Sequence, residues 1–313
     1  MPDRLKESSI IELAVIGGGP AGISAAIQAK KLGLRVILIE ANKLGGSLWA
    51  ARRIDNLPPL PPMRGFEISQ MFSQRFMDTG LDWLNGAVET INPVPEYHEG
   101  FEIRLSTGHL IYAEMVILAT GQVPHLPEQM AFLKGKACFP GEINPERLGR
   151  GKKVAVVGGG EVALDQAIFF YDGGAEVTIF TRSELKINQT LLSELKRTRI
   201  VVRQQAKIVS AEEEGGLLVL TWISSGQQFT SEKFHLVMIA LGKKPSPPEI
   251  KDNSWANIEA AGFGEFGETV LTGMFVAGDL KNGRSRYVSL AVSDGIKAAI
   301  KACEYIKSKR RVK

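Results

Sequence analysis

Two stretches of the chain repeat one pattern of apolar and polar positions. In the first, the apolar run Ile11–Ile16 (IELAVI) leads into GGGPAG, an amphipathic stretch that closes at Gly33, and a second apolar run that ends at Glu40. In the second, Lys153–Val157 (KVAVV) leads into GGGEVA, an amphipathic stretch that closes at Gly174, and an apolar run that ends at Thr181. The two align without a gap, pairing Gly17 with Gly158, Gly19 with Gly160, Gly22 with Ala163, Gly33 with Gly174 and Val36 with Val177. Continuous apolar runs of this length read as buried parallel strands. Amphipathic segments that close on glycine read as helices. The pattern therefore predicts strand, glycine turn, helix, strand, twice over.

The glycines of such a turn have separate tasks. The first (Gly17, Gly158) allows the tight turn, the second (Gly19, Gly160) lets the backbone approach a pyrophosphate, and the third position (Gly22, Ala163) stays small so that helix and strand can pack. Pro20 and Ala21 in one unit, and Glu161 in the other, open the helix whose N-terminal N–H groups face the anion. Two such turns imply two dinucleotides. Glu40 closes the first unit with a carboxylate that suits the ribose of an unphosphorylated adenosine, as in FAD or NAD. In the second unit the equivalent position is Thr181, followed by Arg182. With no carboxylate to repel it and a guanidinium to bind it, a 2′-phosphate is favoured there, so NADPH is expected and NADH stays open. Lys186 is either a further cation for that phosphate or a solvated residue.

Two more apolar strands, at 114–121 (EMVILATG) and 235–242 (HLVMIALG), bracket the second unit, and each is soon followed by proline. A short strand then ends in Gly278-Asp279, and a helix runs from about Val288. An aspartate at a strand's C-terminal end lies where α/β sheets bind ligands. The expected fold class is α/β with two Rossmann-like, doubly wound dinucleotide-binding domains, the second inserted into the first. The first would comprise residues 1–122 and 244–313 and the second residues 123–243, with hinges near Gly121 and Gly242.

A chain of 313 residues, 44% hydrophobic and 23% charged, is long and apolar enough for two cored domains. No apolar stretch is long enough to span a membrane and the N-terminus reads as no secretory signal, so a cytoplasmic location without a membrane partner is expected. The net charge of +4 comes from the tail, where the last seven residues carry five positive charges. That is no basic domain surface, and no nucleic-acid partner is expected. Cys138 and Cys303 form no CxxC, and His98, His109, His125 and His235 stand apart from any ligand set, so no metal is expected.

GGGPAG at 17–22, Glu40, LGGS at 44–47, IDNLP at 54–58, ILATG at 117–121, GGGEVA at 158–163 and FVAGDLKNGRSR at 275–286 together resemble the thioredoxin reductase family of small flavoproteins. The resemblance implies FAD and NADPH as cofactors and a homodimer. It places Gly17, Gly19, Gly22 and Glu40 at the FAD pyrophosphate and ribose, Ser47 and Asn56 near the flavin, Val88 near the adenine and Asp279 at the ribitol, with Gly121 of the ILATG motif a further cofactor-binding residue. It also places Arg286, Tyr287 and Val288 where a helix N-terminus meets the flavin pyrimidine edge, a location that favours the negative charge of reduction. The family's CxxC ahead of the second glycine turn is absent, its paired arginines are reduced to Arg182, and Tyr287 replaces a usual glutamine. The reading is an NAD(P)H-dependent flavoprotein oxidoreductase that passes electrons to an external acceptor, a small molecule or a carrier protein such as ferredoxin, without an internal disulfide and with no side chain named as catalytic. Two alternatives stand beside it. One is a ferredoxin–NADP reductase of the same type, in which the cover that a C-terminal extension gives the flavin would be missing or come from elsewhere. The other is a non-catalytic flavin-binding protein or redox sensor that does not turn over.

Overall fold

A computed structural model describes residues 11–94, 100–143, 148–224 and 229–312. The chain first forms β1 (Ile11–Ile16), α1 (Pro20–Lys31), β2 (Val36–Glu40), α2 (Gly65–Met77), β3 (Trp83–Asn85), β4 (Val88–Val94), β5 (Gly100–Leu105) and β6 (Leu110–Leu118). A short strand β7 (Gln122–Pro124) leads to β8 (Lys153–Val157), α3 (Glu161–Asp172), β9 (Glu176–Phe180), α4 (Gln189–Leu195), β10 (Val201–Arg203), β11 (Lys207–Glu214), β12 (Leu217–Ile223), β13 (Phe229–Phe234) and β14 (Leu236–Ile239). The chain returns through β15 (Lys243–Pro245) to β16 (Glu249–Ile250), α5 (Trp255–Ala261), β17 (Met274–Val276), α6 (Asp279–Asn282) and α7 (Val288–Val312). Residues 1–48, 67–122 and 245–313 cluster as one unit, and residues 49–66 with 123–244 as another. Both are mixed α/β, with the parallel, glycine-turned sheets that the repeat predicts. Among the described residues no helix is long and apolar enough to cross a membrane.

In the first unit β6 is shared between two arrangements. Its beginning pairs antiparallel with β5, and its end lies parallel between β1 and β17, opposite Leu13–Ile16 on one side and Met274–Val276 on the other. Beyond β1 come β2 and β3, also parallel. One core, around Leu13, Val15, Leu38, Ile117 and Phe275, is covered by α1 and α7; the other, around Ile16, Ile39, Ile103 and Val276, is covered by the antiparallel strands and α5.

The second unit repeats the plan. Strands β10, β9, β8 and β14 are parallel in that order, and β11–β13 form a separate antiparallel sheet. Phe180, Trp222 and Phe234 meet edge to face where the two sheets share a core, a favourable aromatic geometry. On the other side α3 packs Ala163, Leu164, Ala167 and Phe170 against β8 and β9. α1 and α3 are both twelve residues long and begin at equivalent positions of the repeat.

Residues 49–66, which the sequence reading leaves in the first domain, cluster with the second unit for a visible reason. The Arg52 guanidinium donates to Asp165 at 3.1 Å and to Glu194 at 2.5 Å, and Gln166 Nε2 donates to the Ala50 carbonyl at 2.6 Å. Burial of Arg52 opposes its charge but is outweighed by these carboxylates, which raise its pKa.

α1 and α7 approach through small residues. A Cβ on Gly295 would stand 2.0 Å from the Ala21 carbonyl oxygen, and one on Gly278 (φ +71°) 2.8 Å from the Ala21 Cβ. The far end of α7 is fixed by charge: Arg310 donates to the buried Glu12 on β1, and Arg35 N donates to the same carboxylate at 2.5 Å. Burial pushes the Glu12 carboxyl up, yet these donors hold it below the usual range.

Two outcomes are expected. Gly295→Ala overpacks the α1–α7 contact and should cost about 1–3 kcal/mol, read as a lower Tm; an unchanged Tm would show that the helices separate freely. A lowered Glu12 pKa stabilises the fold above the unfolded carboxylate value of about 4.3, and that stabilisation is lost as pH falls through the folded value. Glu12→Gln should therefore be less stable than wild type at pH 7, with the gap narrowing below about pH 4. A gap in denaturant midpoints that is constant from pH 7 downward would contradict this.

Candidate functional site

The first glycine turn is built by backbone contact. Gly17 has φ +109°, and a Cβ there would lie 2.3 Å from the Ala119 carbonyl oxygen at the end of β6. A Cβ on Gly22 would lie 1.8 Å from the Gly17 carbonyl oxygen, so the first turn of α1 rests on the loop that precedes it. Gly17 N donates to Ile39 O at 2.8 Å and Ala119 N to Ile16 O at 2.7 Å, which binds the turn to both neighbouring strands. Gly19 is the N-cap of α1 and has no capping side chain, Pro20 is in the first turn, and Ala21 is buried behind it. Helix N–H groups without a cap, beside a loop where Cβ atoms have no room, fit a pyrophosphate. The Thr120 hydroxyl, buried and without a partner at the same strand end, is a further polar atom available to a ligand.

Several of the residues predicted for the first site are tied to this turn. Glu40 accepts from Gly18 N at 2.5 Å and from Asn42 N at 2.8 Å, so it braces the loop as well as closing β2. Gly45 N donates to Gly18 O at 2.8 Å, which brings exposed Ser47 to the same place. Gly86 N donates to Glu40 O at 2.9 Å, and Val88 begins β4 just beyond, packed on the core beside Leu84. Gly121 (φ +66°) follows Thr120. Asp279 opens α6 directly after Gly278, the glycine packed on Ala21. Arg286 and Tyr287 are exposed, with Tyr287 52% accessible, and Val288 opens α7. Asn56 is exposed and belongs to the residues that cluster with the second unit.

The second turn reproduces the first. A Cβ on Gly158 (φ +148°) would lie 2.3 Å from Ala240 O at the end of β14, and Gly158 N donates to Phe180 O at 2.9 Å. Gly160 caps α3 without a side-chain bond and has nothing within 4 Å of its Cβ position. Ala163 is buried against β8, and Glu161 accepts from Asn188 Nδ2 at 2.9 Å. Where Glu40 braces the first loop, Thr181 is buried beside Gly159 and donates to Ser183 O at 2.9 Å. Arg182 is exposed, and Lys186 N donates to Gly159 O at 2.7 Å, which places an exposed lysine next to the turn.

Sequence reasoning missed two polar residues of the first site. Gln122 Nε2 donates to Asp279 O at 3.0 Å and to Gly283 O at 2.9 Å. Asp294 on α7 accepts from Lys281 Nζ at 3.1 Å and Asn282 Nδ2 at 2.5 Å. Neither has a motif. The small-residue stripe Ala291, Gly295, Ala298, Ala302 was a legible sign that α7 packs tightly on another helix.

The two thiols are sealed in separate cores. Cys138 extends the parallel sheet beside Met238, and its Sγ lies 3.5 Å from Val237 O; burial, helped by Glu142, pushes the thiol up to about 12. Such a thiol stays protonated and unreactive near neutral pH. Cys303 is buried on α7 against Leu32 O, and neither cysteine is in a disulfide. His109 is bonded to Thr107, His235 accepts from Lys153 N, the His125 amide donates to Gly242 O, and His98 lies outside the described residues. No metal-ligand cluster occurs among the described residues. Of the basic tail, Arg310 is engaged by Glu12 rather than free, and Lys313 lies outside the described residues.

Comparison with known proteins agrees with this geometry. The chain is 28% identical to the "34.2 kDa protein in rubredoxin operon" of Clostridium pasteurianum, covering 97% of this chain and 100% of that protein. It is 25% identical to an alkyl hydroperoxide reductase component of Pseudomonas aeruginosa, over 97% of this chain but only 60% of that longer protein. Its fold matches a crystal structure of Lactococcus lactis thioredoxin reductase with a TM-score of 0.83, at 21% identity, over 95% of this chain and 99% of that one. Residues 11–295 match the family described as pyridine nucleotide-disulphide oxidoreductase. The chain, an oxidoreductase, belongs to that family.

Proposed function

We propose that the chain binds FAD at the first glycine turn and NADPH at the second, and carries electrons from NADPH to an acceptor outside the chain. The observation that supports this most directly is the twofold construction of one anion cradle, each with an uncapped helix N-terminus. Hydride transfer between nicotinamide and flavin is the chemistry these groups supply when bound. The residues of the chain then bind and orient. The turn at 17–22 takes the FAD pyrophosphate, Glu40 the adenosine ribose and Asp279 the ribitol. The start of α7, with Arg286, Tyr287 and Val288, offers a positive helix end to the flavin's pyrimidine edge. Gly158, Gly160, Glu161 and Ala163 form the second cradle, and Arg182, with Lys186 beside it, reads the 2′-phosphate.

The sealed thiols favour an external acceptor over a disulfide relay. Cys138 is protonated and tied into a sheet edge, and Cys303 is packed inside α7's contact with α1. The Clostridium relative is described by its place in a rubredoxin operon, which favours a small electron-carrier protein over a small molecule. A homodimer belongs to the same proposal; nucleic acid and membrane do not.

The wild-type protein should purify yellow or take up added FAD, and anaerobic NADPH should bleach the flavin absorbance. A colourless protein that binds no FAD sinks the reading, and flavin that stays oxidised with both NADPH and NADH returns the chain to the sensor class. Arg182→Ala removes a charged hydrogen bond of about 1.5–3 kcal/mol, so kcat/KM for NADPH should fall roughly ten- to a hundredfold while that for NADH holds. Equal losses with both would show that Arg182 does not read the phosphate.

A further inference from the structure

We propose that Gln122 is a positioning residue for the flavin: its side-chain amide fixes the loop that carries Asp279 and Arg286. This rests on the reading of the first glycine turn as an FAD site.

α6 has four residues, too few to satisfy its own carbonyls. It is entered through Gly278 at φ +71° and left through Gly283 at φ +56°, and its backbone bonds run from Lys281 N and Asn282 N to Gly278 O and from Ser285 N to Asn282 O, which leaves the Asp279 and Gly283 carbonyls to a side-chain donor. Gln122, one residue past Gly121 at the end of the β6 segment, supplies what is missing. Both N–H groups of its Nε2 are used, one on the Asp279 carbonyl at 3.0 Å and one on the Gly283 carbonyl at 2.9 Å. Its Oε1 faces Arg286 Nη1 at 3.5 Å, a long contact that points the guanidinium back toward the strand end. The opposite flank of α6 is held by Asp294 through Lys281 and Asn282. The loop is thus clamped from the sheet by Gln122, which reaches both Asp279 and Arg286, and from α7 by Asp294. A carboxamide is the group that can do this, since it offers two donors and an acceptor in one plane. A carboxylate of the same size keeps the acceptor and loses both donors.

The test uses the full-length protein and two variants. Gln122→Ala removes the clamp; Gln122→Glu keeps the Arg286 contact but turns oxygens toward two carbonyls. Both should raise the FAD dissociation constant about tenfold, the scale of two lost neutral hydrogen bonds. The flavin midpoint potential should become more negative in Gln122→Ala, where Arg286 loses its anchor, and stay near wild type in Gln122→Glu. A lower Tm with unchanged FAD affinity and potential would make Gln122 a merely structural residue and overturn the proposal. If Gln122→Ala does not fold, Gln122→Glu decides: wild-type FAD affinity overturns the proposal and weakened affinity supports it. A wild-type protein that binds no FAD overturns the functional reading itself, a result distinct from any difference between variants.

Discussion

The absence of a Cβ at Gly22 lets α1 sit directly on the carbonyl of Gly17, and the geometry of the first site follows from that contact. Gly17 in turn is pressed against Ala119, so strand, turn, helix and neighbouring strand share one point where no side chain fits. The second unit builds the same junction from Gly158 and Ala240, with Ala163 at the third position. Gly295 extends the constraint in the first unit, because it seats α7 on α1 at Ala21. A helix held this close to the sheet has its N-terminus fixed at the strand ends, where a pyrophosphate can use its free N–H groups.

From this common frame the two sites diverge through the side chain at the end of the second strand. Glu40 accepts from the loop amide of Gly18, so the carboxylate that suits an adenosine ribose also rigidifies its own loop. Thr181 donates its hydroxyl to Ser183 O, and Arg182 and Lys186 bring cations beside the second turn, where Glu161 also opens the helix. The carboxylate that closes the second strand is thus replaced by a hydroxyl followed by a guanidinium while the backbone is retained.

The fold was legible because steric necessity fixes the glycines at equal spacing in both units, and the apolar runs beside them leave little choice of element. Around the first site, the glycine turn at 17–22 could be read because close backbone contact there excludes a Cβ at Gly17 and Gly22, whereas Ser47 was placed by the family resemblance. Gln122 and Asp294 escaped because a polar side chain that bonds backbone or an adjacent helix leaves no periodic trace. The grouping of 49–66 with the second unit escaped for a related reason. It depends on Arg52 meeting Asp165 and Glu194, which are far apart in sequence, and charge pairs at such separation have no signature in a single chain.

The central claim is electron flow from nicotinamide to flavin to an outside acceptor, with no internal disulfide. Anaerobic titration of the oxidised protein, counting reducing equivalents per flavin, tests it most directly. A flavin alone accepts about two electrons, whereas a flavin with a redox-active disulfide takes up about four, since the disulfide accepts two more. Saturation at about two electrons per flavin, with no new thiol appearing, is the expected result. Uptake of about four, with two thiols newly titratable, would contradict the account.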